Sequence, residues 1–404
     1  MPLSRRFPIG AALALLVCAA CGAGGPTTSG PSTQATADPP FVAELRARLE
    51  AAAAADEFSG AVLVARDGHT LFEGAYGLAD RKQGIPNTPL TQFRVGSMDK
   101  MLTAVAVLQL VQAGKVRLDV PLGTYLPDYP NAAVASKVTL HHLLTHTGGT
   151  GDIFGPEFTA HRSELRTTGD YLRLYGTRGL RFEPGTRWEY SNYGFLLLGA
   201  VIERVAGTSY YDHVAARVLA PAGMTATGFA PEDSLVPGRS VGYTRQLVPG
   251  ALVSNAPTLP YRGTSAGGGY STVGDFARFA AALREHQLLD SPHTALLLDG
   301  KVAAGQGAQY AYGFFDRVVN GRRFVGHSGG AAGMSGDLEL EPDGGYVVVV
   351  LSNFDPPAAT QVASFILDRL PAATPAAGGG ASAARSAPMP ARMRRPPRKA
   401  AAFR

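Results

Sequence analysis

Apolar side chains recur along this chain in two rhythms, and each change of rhythm marks an element. Over 41–55, Leu45 and Leu49 stand four apart, as on one face of an amphipathic helix. Two apolar runs over 60–76 flank Asp67-Gly68, the signature of a β-hairpin. From Ser97 the rhythm is helical: Met101, Leu102, Val105, Leu108 and Val111 recur at helical spacing until Gly114 stops the run. The middle, from about Leu118 to Glu285, mixes helical segments with Gly/Pro-rich loops, its clearest helix being 194–205 ahead of Gly207. Strand patterns follow at 310–315, 323–326, 336–340 and 346–351, with Pro342-Asp343-Gly344-Gly345 as a turn, and 360–370 predicts a closing helix. The pattern predicts an α/β (α+β) fold: an antiparallel β-sheet flanked by helices and built from both chain ends, with an inserted mostly helical lobe. A cleft between the two parts is the expected ligand site. Gly148–Phe158 and Leu247–Thr264 are loops expected to contribute to it.

With 404 residues, 45% of them apolar, the chain can bury one large core or two lobes sharing a cleft. Its net charge of +5 is unevenly distributed. Arg385, Arg392, Arg394, Arg395, Arg398, Lys399 and Arg404 crowd the last 34 positions with no acidic residue, and Arg5 and Arg6 lie near the start. The rest carries fewer basic than acidic residues, which removes support for nucleic-acid binding. Residues 371–404 predict a disordered basic Pro/Ala-rich tail, a solvated segment that electrostatics alone could attach to anionic lipid or cell-wall polymer.

The first 21 residues read as an export signal: Arg5 and Arg6, an apolar run over 9–17 too short to span a bilayer, then Cys18-Ala19-Ala20-Cys21. The last four resemble a bacterial lipoprotein box, with Cys18 in place of the usual Leu. Cys21 would then carry a lipid and provide the only membrane attachment. Residues 22–40 predict a disordered linker, and 41–370 the folded domain. The expectation is an exported protein, periplasmic or anchored as a lipoprotein in a bacterial envelope. Both cysteines fall in the signal, so the body has no disulfide, thiol nucleophile or cysteine-bound zinc.

Three short motifs carry the chemistry. Ser97-Met98-Asp99-Lys100 places an amine one helical turn from a hydroxyl, so Lys100 can reach back to Ser97. A serine hydroxyl needs an adjacent base to act as a nucleophile, and a lysine kept neutral by burial can be that base. Tyr190-Ser191-Asn192 and His327-Ser328-Gly329-Gly330 follow in order.

These motifs and their surroundings resemble the serine β-lactamase and penicillin-binding-protein superfamily, in the branch of class C β-lactamases, D-alanyl-D-alanine carboxypeptidases, D-aminopeptidases and esterases. The likeness runs over about 41–370 and includes Val138 to Gly149 and Phe182-Glu183-Pro184-Gly185. It implies a β-lactamase/transpeptidase-like fold and an acyl-enzyme on Ser97. Lys100 would activate Ser97, and Tyr190 would relay protons; which of the two is the general base stays open. Asn192, His327, Ser328 and Gly329 would bind substrate, with Asn192 also steadying Lys100. The backbone N–H groups of Ser97 and Gly330 would form an oxyanion hole.

Position 327 departs from the lactamase pattern, which has a Lys there to bind the substrate carboxylate. His327 is near neutral at pH 7, so esters or D-amino-acid peptides gain over β-lactams. The expected partner is thus a small-molecule ester, peptide or β-lactam, or peptidoglycan itself, with no cofactor and no metal. His142 and His146 stand four apart, but Leu143 occupies the place of a zinc hydrolase's Glu. Ala266-Gly267-Gly268-Gly269-Tyr270 reads as a flexible segment lining the cleft. The alternatives are a β-lactamase and a penicillin-recognising module that binds without turnover.

Overall fold

Seven residue pairs join Gly60–Arg66 to Tyr346–Ser352 in an antiparallel ladder, so an early and a late segment of the folded domain pair within one sheet. The computed structural model describes residues 39–371. The expected signal, with Cys21, most of the linker and the tail beyond Pro371 lie outside the described residues.

The sheet has eight strands: β1 (Gly60–Arg66), β2 (His69–Tyr76), β3 (Val302–Gly305), β4 (Ala308–Tyr310), β5 (Phe315–Val319), β6 (Arg322–Ala331), β7 (Met334–Leu340) and β8 (Tyr346–Ser352). Their order is β2-β1-β8-β7-β6-β5-β4-β3, antiparallel throughout. Six helices matter here: α1 (Pro40–Ala54), α2 (Asp99–Gln112), α3 (Leu140–Leu144), α4 (Asn192–Ala206), α5 (Val273–Arg284) and α6 (Ala358–Leu367). Between β2 and β3 lies the mainly helical insertion that the apolar pattern predicts.

β1 and β8 are almost unbroken runs of Val, Leu and Ala because helices cover both faces of the sheet. Val62, Val64, Val348 and Val350 pack with Leu45 and Leu49 of α1 and Val362 and Ile366 of α6. Their neighbours Ala61, Leu63, Val349 and Leu351 face the other way, into the core shared with α2 and α5. The period of two thus assigns alternate residues to two layers. Each buried Val or Leu contributes about 1.5–3 kcal/mol relative to exposure.

Two strands differ from expectation. The predicted strand 310–315 breaks after Tyr310, where Ala311 N–H bonds the Phe314 carbonyl. The bend seats Gly313 (φ +74°) on α2, where a Cβ would come within 2.8 Å of both the Lys100 carbonyl and Ala104 Cβ. β6 runs five residues beyond the predicted 326, through Ser328, Gly329 and Gly330, because pairing with β7 overrides the low strand propensity of glycine. α2 is buried on every side from Asp99 to Leu108, as a helix through the middle of a core must be.

Candidate active site

Ser97 lies in a single tight turn, Gly96–Met98, that leads straight into α2. Lys100, one turn on, is fully buried and directs its amine back to Ser97 Oγ at 3.1 Å. The same nitrogen reaches Asn192 Oδ1 at 2.7 Å and the Ala266 carbonyl. Burial pulls the Lys100 pKa down to about 7, with Asp152 and then Asp99 holding it from falling further. A neutral amine has two N–H donors and one lone pair. Asn192 Oδ1 and the Ala266 carbonyl can only accept, so the lone pair of neutral Lys100 is left facing the Ser97 hydroxyl.

The orientation of Asn192 is fixed by Asp152, which accepts from Asn192 Nδ2 at 3.2 Å and from its backbone N–H at 3.1 Å. Asp152 thereby also occupies the N-terminus of α4, where a carboxylate suits the helix dipole. The segment 266–269 is pinned rather than flexible. Gly268 N–H bonds the Gly96 carbonyl at 3.1 Å, Gly269 N–H bonds Asp99 Oδ2 at 2.6 Å, and Arg94 bonds the Gly268 carbonyl at 2.9 Å. Asp99 is itself fully buried, and desolvation raises its pKa to about 7.

β6 supplies the opposite wall. Its pairing with β5 ends at Gly326, whereas pairing with β7 continues to Ala331, so 327–331 presents an edge with no strand partner. This edge lies close against the Ser97 turn. A Cβ on Gly329 would stand 1.9 Å from the Val95 carbonyl and 2.9 Å from Ser97 N, and only glycine allows that approach. Ser97 and Gly330 both line a cavity of about 250 Å³, along with Asn192. The rest of its wall is largely apolar, including Ile153, Phe154, Phe158, Tyr171, Leu259, Pro260 and Met334, and no Asp, Glu, Lys, Arg or His contributes. Both loops expected at the cleft thus reach it.

Tyr190 sits beside Ser97 with its ring centroid 4.8 Å from Lys100 Nζ. Burial raises its pKa well above 10, the Ser97 hydroxyl acting in the opposite sense through a hydrogen bond. His327 does not meet the expectation of a substrate-binding side chain. It is buried, its Nε2 lies 3.0 Å from the Tyr310 hydroxyl, and its Nδ1 bonds the Ser328 carbonyl. Its ring stands behind Tyr190, 6.2 Å between centroids, and not at the cavity. Ser328 is half-buried and also stands off the cavity wall. Gly329 contributes through closeness to Ser97. His142 caps α3 through Thr139, and both ring nitrogens of His146 are taken by Ser191 and Tyr310, so this pair is not arranged for a metal.

Sequence reasoning missed Asp152, Asp99, Tyr310, His146 as a ring partner and the Ala266 carbonyl. Asp152 lay within a loop marked as cleft-lining, but nothing in its neighbours set it apart.

The family model described as Beta-lactamase matches residues 45–373. The chain belongs to the β-lactamase family. It is 39% identical over 216 residues to the esterase EstB of Burkholderia gladioli, covering 48% of this chain and 55% of that one. A penicillin-binding protein from Bacillus halodurans superposes with a TM-score of 0.72 at 33% identity, over 78% of this chain and 98% of that one. A D-stereospecific amidohydrolase from Streptomyces gives 0.68 at 28% identity, over 80% and 96%. The chain spans 62% and 55% of the lengths of two curated relatives it matches. The family is one of β-lactamase-fold hydrolases with esterase and amidase relatives, which bears out the expected fold and family.

Proposed function

We propose that this β-lactamase-family protein is a serine hydrolase that cleaves carboxylic esters with an apolar acyl group through an acyl-enzyme. The observation that carries the reading is the Lys100 amine, buried, near neutrality and aimed at Ser97 Oγ. Ser97 Oγ attacks the ester carbonyl carbon as its proton passes to Lys100. The oxyanion is held by the N–H groups of Ser97 and Gly330. As the C–O bond breaks, Tyr190 gives its proton to the departing alkoxide and recovers one from Lys100. Water then attacks the acyl carbon, its proton passes back through the same groups, and the carboxylic acid leaves. Tyr190 is held protonated in the resting state, which favours Lys100 as the initial base.

The uncharged, apolar cavity supports an ester over a substrate bearing a carboxylate, and so does a buried His327 where lactamases carry Lys. The likeness to the Streptomyces amidohydrolase favours a second reading, amides of D-amino acids. Export, with a lipid on Cys21, belongs to the same proposal and is read from the first 21 residues. A fluorophosphonate probe followed by intact-protein mass spectrometry tests the core claim. One adduct on the parent and none on Ser97→Ala is expected, and p-nitrophenyl butyrate to octanoate should outpace nitrocefin and D-Ala-D-Ala peptides. Equal labelling of Ser97→Ala would sink the mechanism. Faster turnover of D-amino-acid amides than of any ester would install the second reading.

A further inference from the structure

Behind Tyr190, three polar rings from three separate parts of the chain meet in the core. His146 follows α3, Tyr310 ends β4, and His327 lies on the free edge of β6. All three are buried. Tyr310 Oη is 3.0 Å from His146 Nε2 and 3.0 Å from His327 Nε2. One hydroxyl proton cannot serve both rings, so one histidine must donate and the other accept.

The backbone at each end decides which. Ser191 N–H points at His146 Nδ1 at 3.1 Å, and an amide N–H can only donate. His146 Nδ1 therefore carries no proton, its hydrogen is on Nε2, and it donates to Tyr310 Oη. Tyr310 must then donate to His327 Nε2. The hydrogen of His327 is left on Nδ1, where it meets the Ser328 carbonyl, which can only accept. Every bond runs one way: Ser191 N–H, His146, Tyr310, His327, Ser328 C=O. Ser191 directly follows Tyr190, and Ser328 is two residues before Gly330.

We propose that His146, Tyr310 and His327 are positioning residues: a one-directional hydrogen-bond chain that ties the backbone beside Tyr190 to the free edge of β6 and so sets Gly330 against Ser97. The chain needs both imidazoles neutral, since a second proton on either would set two donors face to face. The titratable groups around it are Lys100 from α2 and Tyr190; burial holds both rings neutral, and Lys100 adds to this when its amine is protonated. His327 thus contributes an aligned strand where a lactamase lysine would contribute a charge. The catalytic consequence rests on the function proposed above; the hydrogen-bond direction does not.

Two measurements test it. Nitrogen NMR of the labelled parent protein reads the tautomers directly, with His146→Gln and His327→Gln used for assignment. The expected result is His146 with its proton on Nε2 and His327 with its proton on Nδ1, both neutral from about pH 5 to about pH 8. The opposite tautomer at either ring, or a cationic ring in that range, overturns the chain. Tyr310→Phe keeps the shape of the core and removes both central bonds. A displaced strand edge predicts a loss in kcat of roughly ten- to a hundredfold on p-nitrophenyl butyrate, with KM within about twofold. Parental kcat in a folded Tyr310→Phe protein would overturn the positioning role. A parent that turns over no ester would defeat the function reading, and the tautomers would still decide the chain.

Discussion

Lys100 Nζ lies 2.7 Å from Asn192 Oδ1, and Asp152 holds that amide so that its oxygen, not its nitrogen, faces the amine. The pair couples the first motif to the second before any substrate arrives. It also makes the site sensitive to proton concentration, because the amine acts as a base only when neutral.

Activity should therefore rise with pH. The Lys100 pKa is lowered to about 7, so below that value the amine is charged and cannot take the Ser97 proton. A plot of kcat/KM against pH should show an acid limb centred near there. Asp152 raises the Lys100 pKa, so Asp152→Asn should move the limb to lower pH. A limb that stays in place would separate it from Lys100.

Replacing Lys100 by Ala should cost about 10²–10⁴ in kcat, the range for a positioned general base. Single-turnover release of p-nitrophenol checks this, since the loss should lie in acylation.

Gly329→Ala should cost about 10² or more in kcat. The added Cβ would stand 1.9 Å from the Val95 carbonyl, so β6 must withdraw from Ser97. Far-ultraviolet circular dichroism alongside the kinetics distinguishes this from unfolding.

The three motifs were legible because each is a contiguous run whose residue types name its chemistry. What surrounds them was not, for reasons visible in particular residues. His327 looked like a substrate ligand because sequence shows its position in a motif but not the Tyr310 hydroxyl that engages it. The end of β6 was missed because Gly329 and Gly330 have low strand propensity of their own and are held in the strand by pairing with β7. The segment 266–269 looked flexible for the same reason: its glycines allow close approach to Asp99 and Arg94, contacts no local pattern encodes. The overall fold was more accessible, since alternation in β1 and β8 and the helical spacing in α2 are local signals of burial.

Asp337 and Glu339 offer a test of stability. Both lie buried on β7, facing α6, and only Glu339 has an ion-pair partner, Arg317, among the described residues. Desolvation raises the pKa of each, and for Glu339 the neighbouring Asp337 raises it further. The folded state thus binds more protons than the unfolded one. The stability this contributes is complete below the unfolded value of 3.8 for Asp337 and is lost as pH rises through the folded one. Asp337→Asn should therefore melt higher than the parent by a margin that grows from about pH 5 to about pH 8. Melting curves across that range check it, and a constant margin would contradict the assignment.

The ladder between β1 and β8 bears on how the chain reaches its fold. Arg66 and Tyr346 are paired across 280 positions, and β8 lies between β1 and β7 in the sheet. A nascent chain that stops short of Tyr346 lacks the strand that joins its hairpin to everything downstream. Such long-range closure is slow, because the entropy of a large loop is spent before any contact repays it. The sheet therefore cannot close before Tyr346–Ser352 is available, and until then the β1–β2 hairpin has no strand to join it to β7.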